Sequence, residues 1–213
     1  MWSQTPGPGG GRVLPDGCMD LIWMDGRLVI AGPNTYAFVA GGPVEIGTTG
    51  LRFAPGAGPA VFGVPASELI DQLVPLDALW PEAAVRRMAQ RVGESPARGG
   101  VLEALAAGRL RESAPDPVCL AVAADLRRGR SVAAAAQEIG ISDRQLHRRS
   151  LAAFGYGPKM LARVLRLQQA VGLARRGVPS ATVAAMAGYS DQPHFAREVR
   201  ALAGVPLGVL LGE

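Results

Sequence analysis

The sequence predicts an α+β chain of two domains: a small antiparallel β-sheet or barrel with helices, then an all-α double helix-turn-helix. Three observations predict it. Apolar runs punctuated by Gly and Pro fill the first third of the chain. From residue 118 onward only helical patterns occur, each closed by a glycine. A stretch near residue 140 also recurs, imperfectly, near residue 188.

The 213 residues suffice for one large domain or two small ones, each with its own core. The domains are expected at 1–115 and 116–213, with the turn-like "SAPDP" (113–117) between them. In "MDLIWMDGRLVIAGP", Asp25-Gly26 separates two apolar runs, a strong hairpin signal. "TYAFVAGG" and "VEIGTTGLRFAPGAG" read as further short strands and turns. "SELIDQLVPLDALW" and "PEAAVRRMAQRVGE" read as helices opened by Ser67 and Pro81, and "VLEALAAGRLRE" as a third. The second half then predicts helices over 118–129, 131–139, 142–154, 158–176, 180–187 and 191–203. The breaks fall at Gly129, Gly140, Gly155-Tyr156-Gly157, Gly177 with Pro179, and Gly188.

Charge separates the two halves. Residues 1–117 carry nine basic and twelve acidic side chains, a net −3, whereas residues 118–213 carry thirteen and six, a net +7. A basic helical half behind a mildly acidic one suits a nucleic-acid module joined to a separate partner domain. No apolar run approaches the roughly 20 residues needed to span a bilayer, and no membrane partner is expected. The start "MWSQTPGPGGGR" lacks the apolar core of a secretory signal. Cys18 and Cys119 alone imply no disulfide framework, so a cytoplasmic location is expected.

The repeat carries the functional reading. "GISDRQLHRRSLAAFGYGP" (140–158) resembles "GYSDQPHFAREVRALAGVP" (188–206), and each copy follows an alanine-rich helix, "SVAAAAQEIG" or "SATVAAMAG". Ala-rich surfaces let helices approach closely, as a helix-turn-helix requires. On a helical wheel, Leu146, Ser150, Ala153 and Phe154 form the inner stripe of the first copy. Arg144, His147, Arg148 and Leu151 face outward. In the second copy Phe195, Val199 and Leu202 turn inward, Arg197 and Arg200 outward, and Gln192 and His194 sit in the first turn. Arg can bond bidentately to guanine and Gln to adenine in the major groove. The candidate DNA-binding residues are therefore Arg144, His147, Arg148, Gln192, His194, Arg197 and Arg200. For the two histidines, helix capping or phosphate contact is an equal alternative to base reading. The linking helix 158–176 offers apolar surface on several sides, with Arg163, Arg166, Arg175 and Arg176 as surface charges, some of them near phosphates.

These residues are similar to the AraC family of bacterial transcriptional regulators. The matching stretches are "VAAAAQEIGISDRQLHRRSLAAFGYGPKMLARVLRLQQAVGLA" and "TVAAMAGYSDQPHFAREVRALAGVPLGVL", roughly residues 118–211. The resemblance implies two helix-turn-helix units joined by a long helix. By position, it implies base- and phosphate-facing roles for Arg144, His147 and Arg148, and for Gln192, His194 and Arg197. The family buries a Phe four residues after each apolar anchor, where this chain has Ser150 and Val199. A buried Ser150 is expected to bond back to a helix carbonyl or to leave the core looser. "LPDGCMDLIW" with "GLRFAPGAGPAVFGVPASEL" resembles a shortened cupin-like sensor domain that precedes this module in relatives.

The expected function is a sequence-specific DNA-binding transcriptional regulator whose N-terminal domain senses a small-molecule effector or forms a homodimer. The two recognition helices would enter successive major grooves about 34 Å apart. Its partners would be a double-stranded DNA operator and, for an activator, RNA polymerase. The alternative is an enzyme or ligand-binding β-domain fused to a nucleic-acid docking module. Residues 1–117 hold no His, and no catalytic residue, metal or cofactor is expected. Cys18, Trp23, Phe38, Phe53, Phe62 and Trp80 are candidates to line an effector pocket, although aromatic residues of this kind more often form plain core. Asp16 and Asp20 beside Cys18 should raise its pKa and make it a small structural residue rather than a reactive thiol.

Overall fold

The computed structural model describes residues 2–3, 12–39 and 48–212. The Gly-rich run at 7–11 and the "VEIG" of an expected strand lie outside these residues. The described strands are β1 (Trp2–Ser3), β2 (Arg12–Val13), β3 (Met19–Met24), β4 (Arg27–Ala31), β5 (Phe38–Val39), β6 (Thr49–Phe53) and β7 (Leu73–Pro75). The predicted hairpin is β3–β4, in antiparallel register from Asp20–Ala31 to Met24–Arg27. Its turn residues Asp25 and Gly26 both take positive φ, 50° and 71°, as a tight two-residue hairpin of the favoured twist requires. Around it the sheet runs β1-β6-β3-β4-β7, every pair antiparallel, while β2 and β5 form a separate ribbon.

Three helices cover the sheet: α1 (Gly58–Phe62), α2 (Glu82–Glu94) and α3 (Arg98–Glu112). Leu21, Leu28, Ile30, Phe53, Phe62, Leu76, Val85, Val92 and Leu102 meet between sheet and helices as one core. Two expectations are corrected. "SELIDQLVPLDALW" is not a helix; it forms a 3-10 turn at Ala66–Glu68, the edge strand β7, and a second 3-10 turn at Leu76–Ala78. Asp71 sits at φ 54°, outside any helix. Its carboxylate accepts from the Thr35 amide at 2.7 Å and the Thr35 hydroxyl at 2.6 Å. "PGAGP" (55–59) reads from the sequence as a Gly-rich turn, yet its last residues open α1, with Pro59 in the first helical turn.

The second half is all helix: α4 (Pro117–Arg127), α5 (Val132–Ile139), α6 (Asp143–Phe154), α7 (Pro158–Arg175), α8 (Ser180–Met186), α9 (Gln192–Ala203) and α10 (Leu207–Leu211). The short α10 was not anticipated; Pro206 opens it and Gly212 closes it. Helices α4 to α6 and the first half of α7 enclose one core around Leu146, Phe154, Leu161 and Val164. The rest of α7 with α8 and α9 encloses another around Leu167, Val171, Val183, Phe195 and Val199. Helix α7 thus serves both units, as its apolar residues on several sides require. No helix among the described residues is long and apolar enough to cross a membrane.

The sheet domain also touches both helical units. Leu14 lies in the second unit's core. Arg12 donates to the Ala203 carbonyl at 2.8 Å, the Ala37 amide to Leu202 at 2.8 Å, and the Gln168 side chain to the Pro15 carbonyl at 2.7 Å. At the first unit, α6 packs against α1 and the Ala66–Glu68 turn. A Cβ added at Gly155, just past α6, would meet Ile70 at 2.8 Å, Pro33 at 2.9 Å and the Ala66 carbonyl oxygen at 3.2 Å.

Candidate nucleic-acid interface

Helix α6 begins in a capping box. The Ser142 hydroxyl accepts from the Gln145 amide at 3.3 Å, and the Gln145 side chain accepts from the Ser142 amide at 3.0 Å. Gly155 ends it at φ 84°, a left-handed position that favours glycine. Leu146, Ser150, Ala153 and Phe154 are the buried residues, the stripe that periodicity predicted. Arg144 and Arg148 project from the opposite face and form no ion pair or hydrogen bond with any described residue. His147 is exposed too, but its ring lies at the helix flank against Gly157. A Cβ there would come within 2.9 Å of His147 Cε1 and Nδ1. Arg149 turns another way and bonds the Asp116 carboxylate at 2.8 Å, tying α6 to the cap of α4.

The second unit follows the same plan. Asp191 caps α9 by accepting from the His194 amide at 2.6 Å, with Pro193 in the first turn. Phe195, Val199 and Leu202 are buried; Gln192, Arg197 and Arg200 are exposed. Arg197 and Arg200 have no hydrogen-bond or ion-pair partner among the described residues. The His194 ring is built into the helix start. Its Nδ1 lies 3.1 Å from the Ser190 hydroxyl, and the ring stands edge-on to Tyr189 at 5.2 Å. Each unit therefore presents a helix with two unpaired guanidinium groups, flanked by a histidine held against its own turn.

Two holding contacts were missed from the sequence. Arg163 of α7 forms a two-point ion pair with Glu198 of α9, at 2.9 and 3.0 Å. Arg166 stacks over the Tyr189 ring at 5.5 Å. Arg163 is exposed, as expected of a surface charge, and Arg166 half-buried; both also brace α9 and the turn before it. Glu198 is the one acidic residue within α9, and that isolation was the available signal.

The expectation for Ser150 is corrected in part. Its hydroxyl is fully buried and accepts or donates no hydrogen bond among the described residues, so no back-bond to a helix carbonyl forms. Phe154, one turn later, is also fully buried and reaches the Gly56 turn of the sheet domain.

The proposed pocket residues divide. Phe53 and Phe62 pack edge-to-face at 5.4 Å in the sheet-domain core. Trp80 donates to the Phe62 carbonyl at 3.0 Å and Trp23 to the Ala89 carbonyl at 2.9 Å, so both indole N–H groups are spent on backbone. Arg98 stacks on the Trp23 indole at 4.2 Å and Arg109 on the Trp80 indole at 4.9 Å. Phe38 lies apart, exposed on the β2–β5 ribbon. Cys18 sits in the turn before β3, where Arg52 bridges Asp16 and Asp20 at 2.9 and 2.8 Å. Burial, with Asp16 and Asp20 beside it, pushes the Cys18 thiol up to about 12, against thiolate chemistry.

Comparison with known proteins gives two family matches. A model described as a helix-turn-helix domain matches residues 135–212, and one described as a domain of unknown function (DUF6597) matches residues 2–75. No curated protein matches by sequence. Among solved structures, ToxT from Vibrio cholerae is similar at a TM-score of 0.51 and 11% identity, over 97% of this chain and 96% of that one. The apo form of a ToxT point variant from Vibrio cholerae strain SCE256 is similar at 0.50 and 11%, over 97% and 94%. At such identities the likeness is one of fold: an N-terminal sheet domain followed by a helical region.

Proposed function

We propose that this chain, whose residues 135–212 match a helix-turn-helix domain, is an AraC-type transcription regulator that reads an operator with α6 and α9 together. The observation that carries the reading is the paired arrangement of Arg144 with Arg148 and of Arg197 with Arg200. These four guanidinium groups project from two capped helices with no partner among the described residues. Bare arginines on an outward helix face suit guanine edges and phosphates in the major groove. Gln192 in the first turn of α9 suits adenine. His147 and His194, held by Gly157 and by Ser190 with Tyr189, serve at the groove margin, where an imidazole meets phosphate. The domains divide within 113–117, ahead of the Asp116 cap of α4. The sheet domain supplies the regulatory input, as effector site or dimer contact, and it acts through the surfaces it shares with both units.

Arg148→Ala and Arg197→Ala are each expected to weaken specific operator binding by about 1–3 kcal/mol. Fluorescence anisotropy on duplexes selected by the full-length chain measures this. Unchanged affinity in both variants would sink the assignment.

A further inference from the structure

Resting on that reading of α6, we infer that Leu151 is a third base-reading residue of the first unit, one that takes the 5-methyl group of a thymine in the major groove. Arg144, His147, Arg148 and Leu151 stand at i, i+3, i+4 and i+7, the spacing by which a three-turn recognition helix lays one face along base edges. Seven residues of helix rise about 10.5 Å, close to three base-pair steps of about 3.4 Å. His147 is drawn aside against Gly157. Leu151 is then the group that continues the line of Arg144 and Arg148.

Exposed leucines are ordinary on protein surfaces; the surroundings of this one are not. It is 36% exposed and belongs to none of the three apolar cores. Its neighbours on the face are guanidinium groups. The internal repeat supplies a second, independent observation. Leu151 lies five residues after the buried anchor Leu146, and the position five after the anchor Phe195 of α9 is Arg200, also exposed. The same place on the same kind of helix thus carries a cation in one unit and a branched alkyl group in the other. A cation there meets phosphate or guanine, whereas an alkyl group meets neither favourably. The apolar group that a base pair offers in the major groove is the thymine methyl.

The test uses the full-length chain and duplexes it enriches from a random-sequence pool. Each thymine of an enriched duplex is replaced in turn by deoxyuridine, which pairs identically but lacks the methyl. The wild-type chain is expected to lose about fourfold in affinity, the worth of one buried methyl, at one thymine in the half-site that Arg148→Ala maps to α6. Leu151→Ala, with an unchanged melting temperature, is expected to lose a similar factor on the parent duplex and nothing further at that deoxyuridine. If no replacement weakens the wild type, or if the loss persists undiminished in Leu151→Ala, the inference is overturned. If no duplex is enriched at all, the DNA-reading function beneath it fails instead.

Discussion

Ser150 is a small polar residue sealed into an apolar wall, and its cost is calculable. A buried hydroxyl without a partner forfeits its hydration for about 1–3 kcal/mol. Ser150→Ala removes that group with almost no change of shape and raises helix propensity. The variant is expected to melt a few degrees higher, at about 2–4 °C per kcal/mol for a chain of this size. A lower melting temperature in calorimetry would mean that the hydroxyl has a partner in solution. Side-chain placement was unevenly legible. The outward faces of Arg144, Arg148, Arg197 and Arg200 follow from helical period alone, because an apolar stripe on one side dictates the other. Where the rings of His147 and His194 point depends on Gly157, Ser190 and Tyr189, and no periodic pattern encodes that. Arg163 looked like any surface cation because its partner Glu198 is 35 residues away.

At the scale of elements, the helical half was legible because its signals are local: caps, glycine stops and a repeated unit. The segment 67–80 was not, because Leu69, Leu73, Leu76 and Trp80 keep a helical spacing while the chain is pulled into an edge strand. Pairing with β4 and the Asp71 carboxylate at Thr35 outweigh the period there. The stop of α6 allows a matched comparison. Gly155 and Gly188 both take positive φ, 84° and 73°, yet a Cβ at Gly188 meets nothing within 4 Å, whereas one at Gly155 strikes Ile70 and Pro33. Each glycine-to-alanine change should cost about 1–2 kcal/mol for the left-handed backbone. Gly155→Ala should cost about 1–3 kcal/mol more for overpacking. Urea unfolding of the two variants measures the difference; equal costs would mean that the sheet domain does not press on α6 in solution.

At the scale of the whole molecule, the acidic and basic halves are packed together at both helical units. Leu14 fills the second unit's core, Arg12 and Ala37 bond the end of α9, and Pro33, Ala66 and Ile70 close on the end of α6. None of this was legible, since the partners lie up to 191 residues apart and their side chains look ordinary where they stand. Residues 116–213 expressed alone are expected to unfold at a lower temperature than the same helices in the full chain. They should also bind the apolar dye ANS, because Leu14 and the wall around Gly155 are gone. An isolated half that melts as high as the full chain and stays dye-free would refute this.

The Leu14 contact also bears on engineering by domain exchange. A chimera that grafts a foreign input domain onto this reader at the 113–117 turn would carry away a piece of the reader's own interior. A working graft must keep the Arg12–Pro15 strip with the helices it serves, or supply a substitute plug. The joint that matters for such cut-and-paste designs runs through the packing, and the linker is only where the chain happens to cross it.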